Sequence, residues 1–535
     1  MTIIEKFIPI TEGKPTGATL KKAVLSAKED IAIPHNLSDL STYSKFLALY
    51  ARNPEDAAYY SIEEKQDCKI KQEWELLFKY LQGTEPTESS ISENLVEYIV
   101  PSDVADRFTN SLGLPVKVSE YMKEGESQIR GCITTIENEN DFNDWFIFHI
   151  LDQTRLALSG VPFESANAGQ SYHEKFADFF QESLKNTIID DQWEAGGRDY
   201  FIKRAKYFTD RNLKIECVLP AFPCKSSNSD KVGGIYPDKG EEFALRRLMK
   251  ATQDAQKVYP PGMKIWIVSD GHVFSDCIGV DDDVVSSYTA KLHQLYEKIK
   301  IPGVDAIGFC GLNDLFFSGA AASKFKTEWI ADVELDHLTG TQICPVSDVS
   351  RGILMRGCDT DDGRLRKQIS IDGHPRLHLY RGFSRFMLED LSRLSYFEGS
   401  SRKGFKKTIS RIAFNMIRRN DAYSNLVELI FPHHMRLSIH AHTNSGPKFG
   451  IKVISSEQCR IVKSLDDLEE PKFEDLLHIP TPWHNCVVKV DDNHYVLTKA
   501  SVVKEALENG SYVGQWVETS LELGEGGHYR IRKFE

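Results

Sequence analysis

The loop between Leu219 and Glu242 offers the most informative chemistry in the sequence. It contains Lys225, Ser226 and Lys231, and ammonium and hydroxyl groups are donors that suit an anionic or phosphorylated ligand. The loop has about twenty residues, whereas a strand-to-helix connection usually takes about two to six. A solvated surface loop would have the same composition, so composition alone leaves both interpretations open.

A second loop, which begins at Ser269, places acidic groups beside an imidazole. Asp270, His272 and Asp276 follow the end of a predicted strand. Carboxylates next to a histidine can act as general acid and base when burial separates their pKa values. An Asp-Gly turn followed by an acidic tail is the alternative interpretation, and it also stays open.

Three histidines nearer the carboxyl end could bind a metal or a substrate. His440 and His442 lie two apart in a predicted strand, so their side chains face the same way. His484 follows in a Thr-Pro-Trp-His turn, and three imidazoles could bind a metal in an oxygenase or hydrolase. No His-Glu-x-x-His motif or cysteine partner supports that alternative, so no metal site is expected and His440 is favoured as a hydrogen-bonding group.

These loops are positioned by strands and helices that alternate from about residue 200. The segments 215–219, 264–269 and 304–309 read as strands, and each is followed by a loop. Alternation of this kind predicts a parallel sheet with helices on both faces, and the loops then meet at one edge of that sheet. The predicted fold class is therefore α/β, with a Rossmann-like parallel sheet as its core.

The flanking parts of the chain have other patterns. Residues 1–140 are polar and are predicted to form a helical amino-terminal extension, which leaves 141–400 for the α/β core. Between 401 and 535, the segments 436–442, 449–454 and 485–490 alternate like strands and predict a smaller mixed α+β carboxyl-terminal domain. A chain of 535 residues is too long for one hydrophobic core, in agreement with such a division.

Composition argues against several classes of protein. The formal net charge of −13 disfavours nucleic-acid binding, which requires a basic face. No apolar segment reaches the length of a membrane span, and the first residues lack a signal-peptide pattern. The ten cysteines form no Cys-x-x-Cys pair, which suits reduced thiols and predicts a cytoplasmic protein. The motifs Gly-x-Gly-x-x-Gly, Gly-x-x-x-x-Gly-Lys-Ser/Thr and Gly-x-Ser-x-Gly are absent, so neither a dinucleotide enzyme, a nucleotide triphosphatase nor a serine hydrolase is indicated.

Five segments, taken in order, resemble the pyoverdine/dityrosine biosynthesis family, which includes the isocyanide synthases and their fungal spore-wall relatives. They extend over residues 200–490 and read LPAFPCKSSNSDKVGGIYPDKGEEFAL, YPPG followed by IVSDGHVFSD, GFSRFMLEDL, PHHMRLSIHAH and TPWH. An ordered set of motifs is far more specific than any one of them. Residues 1–140 fall outside the common core of the family, as in a long fungal-type extension.

The resemblance implies an enzyme with a Rossmann-like core and no cofactor. Its substrates would be an aromatic amino acid, usually L-tyrosine, and ribulose 5-phosphate, which gives one carbon to the amine nitrogen. The product would be an isonitrile or, in the spore-wall branch favoured here, N-formyl-tyrosine that a downstream oxidase converts to dityrosine. A scaffold that has lost its chemistry is disfavoured, because the lysines, aspartates and histidines of the motifs are all present.

Candidate site residues follow from this chemistry. Proton transfer is assigned to Asp270, Asp276, His440 and His484. The sugar phosphate would be bound by Lys225, Ser226, Lys231, Arg381, Arg385 and Arg436. Phe222 and Trp483 are candidate walls for the tyrosine ring, although both would suit core packing equally well.

Overall fold

The computed structural model describes four short segments in the amino-terminal part of the chain and most of the chain from residue 171 onward. The described residues are 88–91, 95–101, 116–121, 128–135, 171–317, 335–358, 362–431, 433–440, 442–472, 480–491 and 494–534.

The four amino-terminal segments are strands of one antiparallel sheet. They are β1 (Glu88–Ile91), β2 (Leu95–Pro101), β3 (Val116–Tyr121) and β4 (Gln128–Thr135), in the order β1-β2-β4-β3. Their sequences, such as LVEYIVP and QIRGCITT, are rich in β-branched and aromatic residues that favour strands. The prediction of a helical extension over 1–140 is therefore wrong for these strands, and the rest of that prediction lies outside the described residues.

The remaining strands form two further sheets. They are β5 (Ile215–Pro220), β6 (Met263–Ser269), β7 (Ile307–Gly311), β8 (Met435–Ser438), β9 (Lys448–Gly450), β10 (Arg460–Ile461), β11 (Cys486–Val490), β12 (His494–Thr498), β13 (Tyr512–Val517) and β14 (His528–Lys533).

Helices cover the faces of these sheets and connect their strands. They are α1 (Tyr172–Ser183), α2 (Arg198–Thr209), α3 (Lys239–Val258), α4 (Gly271–Ile278), α5 (Asp282–Ile299), α6 (Leu312–Phe317), α7 (Pro345–Cys358), α8 (Asp362–Ile369), α9 (Pro375–Asp390), α10 (Arg402–Ile430) and α11 (Ala500–Glu508). None of the described helices is long and apolar enough to cross a bilayer.

The central sheet has five parallel strands in the order β7-β6-β5-β8-β9. Its strands β5 and β6 are buried along nearly their whole length and are mainly apolar apart from Glu216, Lys264 and Ser269, as expected of strands covered on both faces. The chain runs from β5 to β6 and β7 on one side and places β8 and β9 on the other, so the strand order reverses between β5 and β8. The predicted α/β class with a Rossmann-like parallel core is confirmed.

The second sheet is mixed, in the order β10-β12-β11-β14-β13, and α11 packs on its own smaller core. This matches the predicted smaller mixed portion. The segments 436–442 and 449–454, which the sequence analysis assigned to it, instead contribute β8 and β9 to the parallel sheet. That sheet thus includes strands on both sides of residue 400, where the sequence predicts a domain boundary. Alternation of polar and apolar residues can identify a strand, but it does not show which strand is its neighbour.

Candidate active site

A cavity of about 650 Å³ lies where the strand order of the parallel sheet reverses. The loop after β5 contributes Ala221, Pro223, Cys224 and Ser226, while the segment after β8 contributes Ile439 and His440. Open α/β sheets bind their ligands outside the carboxyl ends of the strands at this kind of switch point. The volume also falls within the range of about 300–1,000 Å³ that small-molecule sites occupy.

One wall of the cavity is apolar and contains several rings. It is formed by Phe274, Ile278, Leu379, Phe383, Phe386, Met416, Ile439 and Trp483. Trp483 is fixed by a hydrogen bond from the Ser226 backbone N–H to its carbonyl, at 2.9 Å. Phe222 packs behind Trp483, with ring centroids 5.2 Å apart, and is fully buried. The prediction of an aromatic wall thus fits Trp483, whereas Phe222 is a core residue.

Asp270 reaches the cavity from the end of β6. Its Oδ1 atom is buried and has no hydrogen-bond partner in the described part of the chain, and burial raises the pKa of its carboxyl to about 6. The next residue, Gly271, allows this approach, because a Cβ there would lie only 2.3 Å from the carbonyl oxygen of Pro223. A carboxylate with this pKa is largely ionised at neutral pH and can accept a proton.

Helix α9 presents one imidazole and two guanidinium groups to the cavity. His378, Arg381 and Arg385 are spaced by three and four residues and therefore share one face of the helix. All three line the cavity, and neither guanidinium has a carboxylate partner among the described residues. Two unpaired arginines on one helix turn suit a phosphate, since guanidinium groups bind it in a bidentate manner.

His440 and His484 also line the cavity. Burial, together with the nearby Lys448, lowers the pKa of His440, so its imidazole is neutral at neutral pH although it faces the cavity. The ring of His484 meets Phe386 edge-on at 5.1 Å, and its backbone carbonyl accepts a hydrogen bond of 2.6 Å from Lys499 Nζ. The structure therefore brings both predicted histidines to the same cavity as Asp270.

Thr481 adds a neutral polar group to the cavity. This residue is 2% exposed, and its Oγ1 atom has no hydrogen-bond partner among the residues that the structure describes. A buried hydroxyl without a partner costs free energy unless a ligand supplies the missing bond. Ser226 lies nearby in the lining, and its Oγ accepts a hydrogen bond of 3.1 Å from the Asn228 N–H.

Lys225, predicted to bind phosphate, is instead a structural residue. Its ammonium lies 2.7 Å from Asp238 and 2.8 Å from Glu241, and it donates to the Pro482 carbonyl at 3.0 Å. All three N–H groups therefore have protein partners, and the side chain does not line the cavity. These bonds join the loop after β5 to the start of α3, where Asp238 and Glu241 also form a capping box.

Two other predicted phosphate ligands are also engaged elsewhere. Lys231 forms ion pairs with Asp390 and Glu389 behind the wall of the cavity. Arg436 donates to the carbonyl and the hydroxyl of Ser424, at 3.0 and 3.3 Å, and thereby ties β8 to α10. Neither side chain is among the described residues that line the cavity, so the geometry does not support their assignment to the substrate phosphate there.

Asp276 does not take part in acid–base chemistry either. It is fully buried in an ion pair with Arg419, and its Oδ2 lies 2.9 Å from Nδ1 of His337. Burial alone would raise the pKa of Asp276, but the guanidinium and the imidazole hold it well below its usual range. A carboxylate that stays ionised and is not among the described lining residues suits a structural role, so the geometry does not support the assignment of Asp276 to proton transfer.

The three histidines of the metal alternative are not assembled into a metal site. His442 Nε2 lies 2.9 Å from the Ser438 hydroxyl, and burial lowers its pKa to about 4. Within the part of the chain that the structure describes, no group of three potential ligands is close enough to hold a metal ion. The arrangement on which that alternative depends is therefore not present among these residues.

Several lining residues were missed by the sequence analysis. They are His378, Asn420 and Thr481 among the polar residues, and Phe274, Ile278, Phe386 and Met416 among the apolar ones. The spacing of His378, Arg381 and Arg385 was visible in PRLHLYRGFSRF and would have identified a cationic helix face. No comparable signal marks Asn420 or Thr481, because their role depends on which elements meet.

Comparisons with known proteins find relatives over most of the chain. Residues 205–510 match the family model described as pyoverdine/dityrosine biosynthesis protein. The chain is 68% identical to the spore wall maturation protein DIT1 of Saccharomyces cerevisiae, over 94% of each chain. It is 31% identical to the L-tyrosine isonitrile synthase of Xenorhabdus nematophila, over 57% of this chain and 76% of that protein.

More distant relatives extend the same pattern. The L-tryptophan isonitrile synthase AmbI2 of Fischerella ambigua is 29% identical, over 60% of this chain and 83% of that protein. Among solved structures, the PvcA protein of Pseudomonas aeruginosa matches with 28% identity and a TM-score of 0.51, covering 66% of this chain and 99% of that one.

Proposed function

Because the chain belongs to the pyoverdine/dityrosine biosynthesis protein family, we propose that this isocyanide synthase-like enzyme acts on L-tyrosine and ribulose 5-phosphate. One carbon of the sugar phosphate is attached to the amine nitrogen of the amino acid, and cleavage of the carbon–carbon bonds of that carbon releases the rest of the sugar phosphate as smaller fragments. The product is an isonitrile or its N-formyl equivalent, and for this chain we favour N-formyl-tyrosine for the spore wall. The 68% identity to a spore wall maturation protein supports that branch.

The choice of tyrosine rests on relatives and on the cavity. Two relatives are named as L-tyrosine isonitrile synthases and two others as acting on L-tryptophan. The apolar wall that includes Trp483, Phe274 and Phe386 suits either ring. Thr481 favours tyrosine, because its hydroxyl and the neutral phenol hydroxyl of tyrosine can each donate a hydrogen bond to the other or accept one from it.

The observation that carries the proposal is that one cavity combines an ionisable carboxylate with an unpaired cationic helix face. Arg381 and Arg385 can bind the phosphate of the sugar as a dianion, with His378 beside them. The apolar wall can hold the aromatic ring, which leaves Asp270 for the amine. An amino acid and a sugar phosphate require this combination of an acidic, a basic and an apolar region.

Acid–base steps can be assigned to two residues. The ammonium of tyrosine must lose a proton before its nitrogen can attack the ketone, and the Asp270 carboxylate can accept that proton. Condensation then requires a proton at the departing oxygen, and the neutral imidazole of His440 is suited to relay protons there. These roles use side chains alone and need no redox cofactor.

The proposal also includes the cellular location of the reaction and the fate of its product. We assign it to the cytoplasm, where a charged sugar phosphate is formed and retained. N-formyl-tyrosine would then pass to a downstream oxidase, because coupling two phenol rings is an oxidation.

The test is the mass of the product. Purified protein is incubated with L-tyrosine and uniformly ¹³C-labelled ribulose 5-phosphate, and the amino acid products are followed by mass spectrometry. We expect a derivative of tyrosine that carries one labelled carbon on nitrogen, with a formyl group as its final form. Parallel reactions lack the sugar phosphate, replace tyrosine with L-tryptophan, or contain an active L-tyrosine isonitrile synthase. Absence of any labelled amino acid while the reference enzyme works would refute the proposal.

A further inference from the structure

A second cavity, of about 400 Å³, lies behind the wall of the first. It is lined by Asn228, Asp230, Lys231, Glu389, Ser392, Arg393, Lys499 and Ser501, all of which are polar or charged. The proposed function makes no use of it. Its volume is at the lower end of the range for small-molecule sites, and its lining suits a small hydrophilic ligand with hydroxyl groups.

The charges in this cavity are unevenly paired. Arg393 donates to Asp230 at 2.9 Å, and Lys231 is bound by both Asp390 and Glu389. Lys499 differs, because its only hydrogen-bond acceptor in the described part of the chain is the carbonyl of His484, at 2.6 Å. An ammonium has three N–H groups, so two of them have no acceptor among the described residues.

Lys499 is also close to another cation. Burial, and after it the charge of Lys231, lower the pKa of Lys499 to about 8, against a smaller opposite effect of Glu389 and Asp390. Because Lys231 is already paired with Asp390 and Glu389, the unbalanced positive charge beside this open cavity is that of Lys499, and an anion bound there would stabilise its ammonium form. The guanidinium of Arg393 and the hydroxyl of Ser501 provide further donors in the same lining.

We propose that the second cavity is a binding site for a small phosphate-bearing molecule, held by Lys499 together with Arg393 and Ser501. Phosphate fits the donors better than a carboxylate does, because its oxygens can accept from several directions at once. Inorganic phosphate and a sugar phosphate share this chemistry. The site is distinct from the Arg381 and Arg385 face, which lines the other cavity.

A lysine-directed probe separates the two cavities, because no lysine is among the described residues that line the larger one. Pyridoxal 5′-phosphate carries both a phosphate and an aldehyde. Its aldehyde condenses with a neutral lysine amine, losing water, and borohydride reduces the resulting imine to a stable secondary amine. At pH 8 an amine with a pKa of about 8 has an about hundredfold larger neutral fraction than an ordinary lysine.

The full-length protein is treated with the probe at pH 8, reduced, digested and mapped by mass spectrometry. We expect Lys499, the residue that precedes helix α11, to be modified at least about tenfold faster than Lys504, which lies on that helix but outside both cavities. Inorganic phosphate should protect Lys499, and chloride at equal ionic strength should not. Stronger protection by ribulose 5-phosphate than by inorganic phosphate would identify a phosphate ester as the ligand.

Variants complete the test. Lys499→Met should remove the modified peptide, and Lys504→Met is the matched control that should keep it. Arg393→Met leaves Lys499 available but should weaken protection by phosphate about tenfold. Equal modification of many lysines, or protection by chloride as strong as by phosphate, would overturn the proposal. None of these readouts involves tyrosine or its product, so the outcome is separate from that of the proposed reaction.

Discussion

At the scale of single residues, two aspartates of one motif have opposite roles. Asp270 and Asp276 both belong to SDGHVFSD, and both are largely removed from water. Asp270 meets no cation among the described residues and burial raises its pKa, whereas Arg419 and His337 lower that of Asp276. The sequence shows two equivalent carboxylates. It cannot distinguish them, because the deciding partner, Arg419, lies on α10, far away along the chain.

Asp270→Asn tests the proton-accepting role. We expect kcat/KM for L-tyrosine to fall by about 10²–10⁴, as for loss of a general base. The wild-type rate should rise with pH through about 6, where Asp270 ionises, and the variant should lack that inflection. Because the folded pKa lies above the unfolded value, the wild type loses stability as pH rises from about 4 to about 6.

The stability of this variant provides the control. Above pH 6, Asp270→Asn should be at least as stable as the wild type in thermal unfolding, since it no longer buries a charge. Asp276→Asn is the matched variant from the same motif, and it should be clearly less stable because Arg419 loses its partner. A catalytically intact Asp270→Asn protein would show that another group accepts the proton.

Thr481→Val tests recognition of the phenol. The change keeps the shape of the side chain and removes its hydroxyl, so the preference for L-tyrosine over L-phenylalanine should shrink by at least about tenfold. Thr481→Ser should retain the preference. Affinities measured by calorimetry without the sugar phosphate make the result independent of the product formed.

Thr209→Val is the matched control for that comparison. Thr209 is also a buried threonine whose hydroxyl has no partner, but it ends α2 and does not line the cavity. Its replacement should leave the preference unchanged. If Thr481→Val instead weakens binding of the sugar phosphate alone, the hydroxyl recognises the sugar and not the phenol.

At the scale of elements, helix α9 supplies most of the positive charge of the larger cavity. Arg381 and Arg385 could be selected from the sequence because Arg385 lies in the family motif GFSRFMLEDL and Arg381 directly precedes it. From the sequence, Lys225 and Lys231 were equally plausible phosphate ligands, yet carboxylates neutralise the charges of both. Asp238 and Glu241, which bind Lys225, were visible nearby, but Asp390, which binds Lys231, lies 159 residues away. Sequence identifies cations more readily than it identifies their partners.

The double variant Arg381→Met, Arg385→Met should raise KM for ribulose 5-phosphate by roughly ten- to a hundredfold or more, since a hydrogen bond to a charged group contributes about 1.5–3 kcal/mol. KM for L-tyrosine should change little. Steady-state kinetics at two salt concentrations check this, because the wild type alone should lose affinity for the sugar phosphate as salt increases.

Arg376→Met is the matched control on the same helix. Arg376 pairs with Asp421 at 2.9 Å and does not line the cavity, so KM for both substrates should stay near the wild-type values. An equal rise of KM for tyrosine and for the sugar phosphate in the double variant would contradict the assignment of α9 to the phosphate.

At the scale of the whole molecule, buried charges join segments that are distant in sequence. His337 contacts Asp276 of α4 and, at 3.2 Å, Asp348 of α7. Arg419 brings α10 to the same aspartate, and Arg351 of α7 pairs with Asp282 of α5. The hydrogen bonds to Asp276 and Asp348 raise the pKa of His337 to about 9.

This network predicts an alkaline loss of stability. His337 binds its proton more tightly in the folded than in the unfolded chain, so its contribution is complete below about pH 6.5 and is lost as pH rises through 9. His337→Gln should remove that part of the pH dependence of the urea midpoint. His442→Gln should leave it in place, because burial lowers the pKa of His442. An unchanged alkaline slope in His337→Gln would exclude the mechanism.

The sequence anticipated about half of the large-scale architecture. Alternation from residue 200 identified β5, β6 and β7 and their parallel order, because each crossover connects neighbours. It did not predict which strands β8 and β9 pair with. These strands have four and three residues, and such short segments contain no pattern that identifies a neighbouring strand. The reversal of strand order, and with it the position of the cavity, could therefore not be predicted from the sequence.

The pairing of β5 with both β6 and β8 has a consequence for synthesis on the ribosome. β6 emerges soon after β5, but β8 emerges only after α9 and α10 have been translated. Throughout that interval one edge of β5 has no strand beside it, and an uncovered apolar edge invites association with other nascent chains. The ligand cavity needs the residues after β8, so the folding step that protects the chain from aggregation is also the one that assembles its binding site.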